Sequence, residues 1–268
     1  MTSETTSGLF GIVPARSAGR IAGNTATGVL KLIALFFMII DHTGKELFRN
    51  NQDMRILGRI AFPIYVWCMI VGFERTRSVP KYLLRILGVG LISQLFYMPA
   101  MSHTWSTPNV FLTLFLGLCA LWGIREKRLF SHLWAPLAAL ILATVLHTDY
   151  GWRAILLFIT LYAVRNSRPG IASVMLLMMI YWGTSYRQTS SLFGMQIDLT
   201  VLPDYLSVLI SPFLRMETYA LLSLLFILPR FSRDIRMPRW LGYALYPGHL
   251  LIIILLKYCM GIPVNWPF

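Results

Sequence analysis

The chain is 268 residues long, 56% apolar or aromatic and only 13% charged. Soluble domains carry about 25% charged residues, so a mean hydropathy of +0.63 excludes an ordinary soluble domain. The 24 Lys and Arg against 11 Asp and Glu give +13, yet the cations lie in short breaks between apolar runs, where they orient membrane loops rather than bind nucleic acid.

A bilayer span needs about 20 mostly apolar residues, with about 17–25 tolerated. In chain order this rule predicts an all-α transmembrane bundle of about nine spans. The polar stretch 1–27, with no cleavage-site pattern, precedes spans at Gly28–Phe48, Ile56–Phe73, Tyr82–Met98, Val110–Ile124 and Leu133–His147. Next come Trp152–Val164, Ile171–Gly183, Phe213–Leu228 and Trp240–Met260, so that one membrane domain fills 28–260 and 261–268 form a short outer tail. The longest break, 184–211, holds a Val201–Ile210 stretch suited to a re-entrant or interfacial helix. Arg16, Arg20, Arg75, Arg77, Lys81, Arg125, Lys127, Arg128, Arg165, Arg168, Arg230, Arg233, Arg236 and Arg239 fall on one side. Lys45, Arg49, Arg55, Arg153 and Arg187 fall on the other, a bias of 14 against 5 that puts the N-terminus in the cytoplasm and the tail, with Trp266 and Phe268, outside. Cys68, Cys119 and Cys259 lie inside apolar runs without metal or disulfide spacing, and read as buried small hydrophobes.

Polar residues inside spans need a partner or a purpose, because a charge at the bilayer centre costs at least about 2.5–3.5 kcal/mol. In the first span His42 and Glu46 share a helix face, as do Asp41 and Lys45. A carboxylate at Glu46 suits an orienter of the His42 imidazole; the alternative is a wet helix end. In the second, Arg59 precedes Pro63 and either snorkels beside Arg55 or serves a polar site. Arg85 lies one turn from Lys81, and Gln94 and Tyr97 must find hydrogen bonds in the outer half of their span. His249 sits near the middle of the last span, about 15 Å from its inner end, with Tyr246 on the same face. Asn109, Asp149, Tyr150 and Trp152 gather at outer ends, while Arg215 and Glu217 read as a local ion pair. The sequence carries no Walker A loop, no G-x-S-x-G elbow, no H-E-x-x-H helix and no metal spacing.

Asp41-His42, Gly58-Arg59-x-x-Phe62-Pro63, Arg85 with Gln94, Asn109-x-Phe111, Tyr150-Gly151 and Tyr246-x-x-His249 occur in this order between Lys31 and Leu251. The set resembles the TraX family of conjugative pilin acetylation proteins and, more distantly, the acyltransferase-3 type of membrane enzymes. The resemblance implies an inner-membrane acyltransferase that uses acetyl-CoA and no metal, with a pilin N-terminus as its favoured acceptor and a glycan as the alternative. It implies His42, with Asp41 or Glu46, as base. His249 and Tyr246 would orient the acceptor or form a second acid/base pair. Arg59 would hold the oxyanion or donor phosphates and Arg85 the phosphates, with Asn109, Tyr150 and Gln94 around the substrate. A secondary transporter is the rival reading, but no matching halves are visible. A pilus scaffold would have no use for midspan His and Arg.

Overall fold

Where lipid offers no hydrogen bonds, a backbone must satisfy itself, and the apolar runs therefore close as helices. The structure, a computed structural model, describes residues 11–14, 21–48, 51–186, 188–189, 191–236 and 238–266. Arg16, Arg20, Arg49, Arg187 and Phe268 lie outside the described residues. The helices are α1 (Thr27–Glu46), α2 (Gln52–Gly58), α3 (Ala61–Arg75), α4 (Val79–Met101), α5 (Val110–Glu126), α6 (Ser131–Val145), α7 (Gly151–Val164), α8 (Arg168–Gly183), α9 (Asp204–Ile210), α10 (Leu224–Ile227) and α11 (Arg239–Cys259). Short strands β1 (Gly11–Pro14), β2 (Ser191–Leu192), β3 (Met195–Gln196) and β4 (Arg233–Arg236) complete the order.

All nine expected segments are helical, but only five stretches have crossing length and composition: Thr27–Glu46, Gln52–Arg75, Val79–Met101, Arg128–Val145 and Trp240–Cys259. The other α-helical segments have 17, 14 and 16 residues in α5, α7 and α8. The Phe213–Leu228 segment is wound largely as a 3-10 helix, over Met216–Ser223. Nine crossings therefore do not follow from helix length. The Val201–Ile210 stretch is helical at α9, which leaves Tyr205, Val208 and Leu209 exposed. Of the three cysteines, Cys68 is buried, Cys119 half-buried and Cys259 exposed, which corrects the expectation for Cys259.

Three features position the site. Residues 21–26 pack into the bundle, where buried Asn24 donates to the Phe226 carbonyl and accepts from the Ala26 amide, and Trp67 donates to the Asn24 carbonyl at 2.7 Å. Antiparallel β1–β4 pairing, Gly11 opposite Arg236, lies beside them. Asp234 of β4 caps α1 by accepting from Gly28 and Val29, a favourable charge for a helix N-terminus. A methyl group at Gly28 would overlap the Ile235 carbonyl, so this glycine permits the close approach of β4. Third, α5 begins level with the middle of α4: Asn109 donates to the Gly90 carbonyl at 2.8 Å. Met101 lies 11 residues beyond Gly90 in sequence, so the connecting loop descends about 16 Å back along α4. Its polar groups are met by Gln94, which donates to Thr107 and accepts from the Asn109 amide.

Candidate functional site

The face holding the start of α1 is termed proximal, and that holding its end distal. Near the distal end α1, α2 and the 3-10 segment bring three charges together. Arg59, 7% exposed, donates from one terminal nitrogen to Asp41 at 2.8 Å and from the other to Glu217 at 2.9 Å; its Nε donates to the Arg55 carbonyl. Arg55 adds a longer contact of 3.6 Å to Asp41. Gly58 makes this possible, since a methyl group there would overlap the Asp41 side chain. Arg59 therefore does not snorkel. Glu217, 3% exposed, pairs with Arg59 rather than with Arg215, which instead donates to the Gly183, Thr184 and Tyr186 carbonyls. Breaking one side of such a buried pair typically costs about 3–5 kcal/mol.

The expected His42–Glu46 pairing is absent. Glu46 reaches across to Lys257 at 2.6 Å, and Lys257, 1% exposed, also donates to the Ala100 carbonyl and Ser102 hydroxyl. Lys45 turns from Asp41 to His103 at 3.0 Å and to Glu46 at 3.6 Å. Burial and the Lys45 ammonium hold the His103 imidazole below its ordinary range. Neither carboxylate of α1 orients His42. Its partner is His249, 3.0 Å from His42 Nδ1 to His249 Nε2, with the rings stacked at 5.2 Å. His249 Nδ1 faces the Leu245 carbonyl at 3.3 Å, and a carbonyl only accepts. The hydrogen-bond chain thus assigns N–H to His249 Nδ1 and a lone pair to its Nε2. His42 Nδ1 then carries the shared proton, and His42 Nε2 is left as a lone pair. This is the way a neighbouring acceptor selects an imidazole tautomer.

Tyr246 lies with its ring edge on His249, 5.0 Å between centroids, and packs against Phe111 at 4.7 Å. It also lines a cavity of about 490 Å³ that runs from the proximal face between α1, α3, α5, β4 and α11. Asp149 and Tyr150 join the distal cluster. Tyr150 stacks on Phe62 at 4.0 Å with a left-handed φ of 65°, and Thr113 donates to the Asp149 carbonyl. Burial lifts the Asp149 carboxyl to about 6, against the opposing pull of Arg59. Gln94 and Asn109 are engaged in holding the α4–α5 loop, and Asn109 also caps α5 through Phe111 N. Arg85 is exposed on α4, donates to the Lys81 carbonyl and lies outside the cavity.

Sequence reasoning brought out His42, His249, Asp41, Arg59 and Tyr246, which the fold does bring into one connected region. It missed Lys257, whose signal is a single cation within an otherwise apolar helix end, and the Arg59–Glu217 pair, separated by 158 residues. No group of metal-ligating side chains is found among the described residues.

The family described as TraX protein matches residues 26–257. The probable fimbrial assembly protein FimC, serogroup H1, of Dichelobacter nodosus is 33% identical over 136 residues, 46% of this chain and 55% of that protein. The uncharacterized protein RP591 of Rickettsia prowazekii (strain Madrid E) is 33% identical over 99 residues, 37% of this chain and 38% of that protein. The chain spans about half or less of the length of these relatives. No solved structure matches it.

Proposed function

The chain belongs to the TraX family, and on that premise we propose that it is an inner-membrane acyltransferase that moves an acetyl group from acetyl-CoA to an amine, with the N-terminus of a pilin subunit as the favoured acceptor. The observation that carries the reading is the His42–His249 couple, whose tautomers leave His42 Nε2 free to take a proton. The fimbrial assembly name of the Dichelobacter relative supports the pilin acceptor. The bias of Lys and Arg toward the proximal loops supports a cytoplasmic proximal face.

The residues divide the work as follows. As the acceptor nitrogen bonds to the acetyl carbon, His42 Nε2 takes the proton that nitrogen must lose. When the carbon–sulfur bond breaks, the same atom returns the proton to the departing thiolate, so the products are an amide and a free thiol. His249 accepts from His42 Nδ1 throughout and holds the ring in one orientation. The Tyr246 hydroxyl, on a ring seated against His249, is the donor assigned to the developing oxyanion. Asp41 and Arg59 act as positioning residues: the Arg59 nitrogens are engaged by Asp41, Glu217 and the Arg55 carbonyl, which fixes α2 against α1 beside His42. The cavity ending at Tyr246 has the size of a small-molecule site, about 300–1,000 Å³, and suits a donor substrate.

The test is the intact mass of candidate pilins co-expressed with the protein. Gain of one acetyl group at the N-terminus, lost with His42→Ala, is the expected result. Unmodified pilin beside acetylated glycan would move the acceptor, and no acetylated product from a broad panel would end the reading.

A further inference from the structure

The proximal cavity has a chemistry that neither the family match nor the named relatives assign. Its mouth is lined by Lys31, Arg75 and Arg236, and its deep wall by Tyr65, Phe111 and Tyr246. Asp234 is the carboxylate at the mouth, and its Oδ1 already accepts from the amides of Gly28, Val29 and Ile235. Three cations from α1, α3 and β4 thus line one opening, and Asp234, the carboxylate that lines it among the described residues, is committed to a helix end. The close approach at Gly28 is what sets β4, and with it Arg236, against the helix that carries Lys31. Arg75 also donates to the Thr25 carbonyl at 2.9 Å, which tethers it at the rim.

Depth fits as well. Lys31 and His42 are 11 residues apart on one helix, which is about 16 Å. Arg75 donates to the Thr25 carbonyl just before α1, Arg236 follows Ile235, whose carbonyl closes on Gly28, and Tyr246 precedes His249 by three residues on α11. Between the cations and Tyr246 the cavity is lined by apolar and aromatic side chains such as Met69, Leu114 and Phe111. Such a channel takes a ligand with a multiply charged anionic head, a long uncharged arm and a reactive end.

We propose that this cavity is the donor subsite: the phosphates of an acyl-thioester carrier sit on Lys31, Arg75 and Arg236 at the proximal face, and the acyl end lies at Tyr246 beside the His42–His249 couple. The assignment rests on the acyltransferase reading and specifies where that donor binds. It gives the phosphate role to these three residues rather than to Arg59, which is engaged at the distal end, or to Arg85, which is exposed and does not line the cavity. A donor bound here reaches the histidines from the face opposite the distal ion-pair cluster.

The experiment is binding of coenzyme A and of its analogue lacking the 3′-phosphate to protein in phosphatidylcholine nanodiscs. Lys31→Gln and Arg236→Gln are each expected to weaken coenzyme A about tenfold or more, the scale of one lost charge-assisted hydrogen bond. Removal of the 3′-phosphate should weaken wild type and diminish the effect of at least one of these substitutions. Arg128→Gln, an exposed cation on the same face, serves as the charge control, and helicity with thermal melts checks folding. If wild type binds coenzyme A and transfers acetyl while both mouth variants bind as tightly as wild type, the subsite assignment falls and the acyltransferase reading stands. A large loss in Arg85→Gln alone overturns the assignment in the same way. Displacement of coenzyme A by added phosphatidylglycerol, with Lys31→Gln changing only the lipid effect, would make the mouth a lipid headgroup site. If wild type neither binds coenzyme A nor transfers acetyl, the acyltransferase reading and the subsite fall together.

Discussion

The two sides of the bundle handle polarity in opposite ways. Along α5, α6 and α7 the interior is built from small and apolar residues: Ala135, Ala139 and Ala143 line one face of α6, Gly123 lies against Ala135, and Gly117 lies against Phe158. Its hydroxyls return to nearby backbone, as Ser131 does to the Gly123 carbonyl and Thr160 to Leu156. Small residues let helices approach closely where lipid provides no hydrophobic drive. Along α1, α2 and α11 the interior instead holds Asp41, Arg59, Glu46, Lys257, His42 and His249, with Glu217 facing them. Each charge there is compensated, and each contributes little net stability relative to a well-packed apolar core. Under the proposed function, one side is scaffold and the other is the place where chemistry justifies a destabilising composition.

The sharpest way to break this division is at His42. Loss of the base should lower acetyl transfer by about 10²–10⁴-fold in His42→Ala, with melting unchanged, measured by peptide acetylation and thermal unfolding in nanodiscs. A second, smaller effect belongs to His249. His249→Ala removes the acceptor that orients His42 Nδ1 and should lower transfer by less than His42→Ala does. His249→Gln, whose carbonyl still accepts from His42 Nδ1, should recover part of it. Equal activity in Ala and Gln variants would show that His249 only fills space.

Paired glycines sharpen the comparison further. Gly58→Ala pushes on Asp41 and should reduce transfer more than it reduces stability. Gly123→Ala overpacks the α5–α6 contact and should cost about 1–3 kcal/mol with specific activity retained. The same loss profile for both would erase the distinction between the two sides. The smallest effect is one of pH. Because the folded-state pKa of Asp149 is raised from 3.8 to about 6, its contribution to stability is present below about pH 4 and is lost as pH rises through about 6. Melting temperature should therefore decline over that window in wild type, and Asp149→Asn should flatten the decline.

Much of this was legible in the sequence, for identifiable reasons. Hydropathy marks helical segments directly, so all nine positions were found. Their lengths were not decisive, because short helices such as α7 are sheltered by neighbours that no local pattern reveals. Midspan His42, Arg59 and His249 stood out because lipid makes each of them costly. Their partners did not, because helical spacing suggests only contacts within one element. Glu46 lies on the same face as His42, yet it finds Lys257, 211 residues away. Gln94 and Asn109 looked like substrate ligands, and the re-entry of the α4–α5 loop explains their polarity instead. Arg75 and Arg236 were visible only as loop cations, and Lys31 only as a residue of the first span, and β4 is what gathers them around a cavity.

The central claim is tested most directly by acetyl transfer from labelled acetyl-CoA to a peptide bearing the N-terminal sequence of the cognate pilin, with wild type, His42→Ala and His249→Gln in parallel nanodiscs. The account predicts stoichiometric N-terminal acetylation by wild type, slower transfer by His249→Gln and none above background by His42→Ala. Transfer by His42→Ala at the wild-type rate would contradict it.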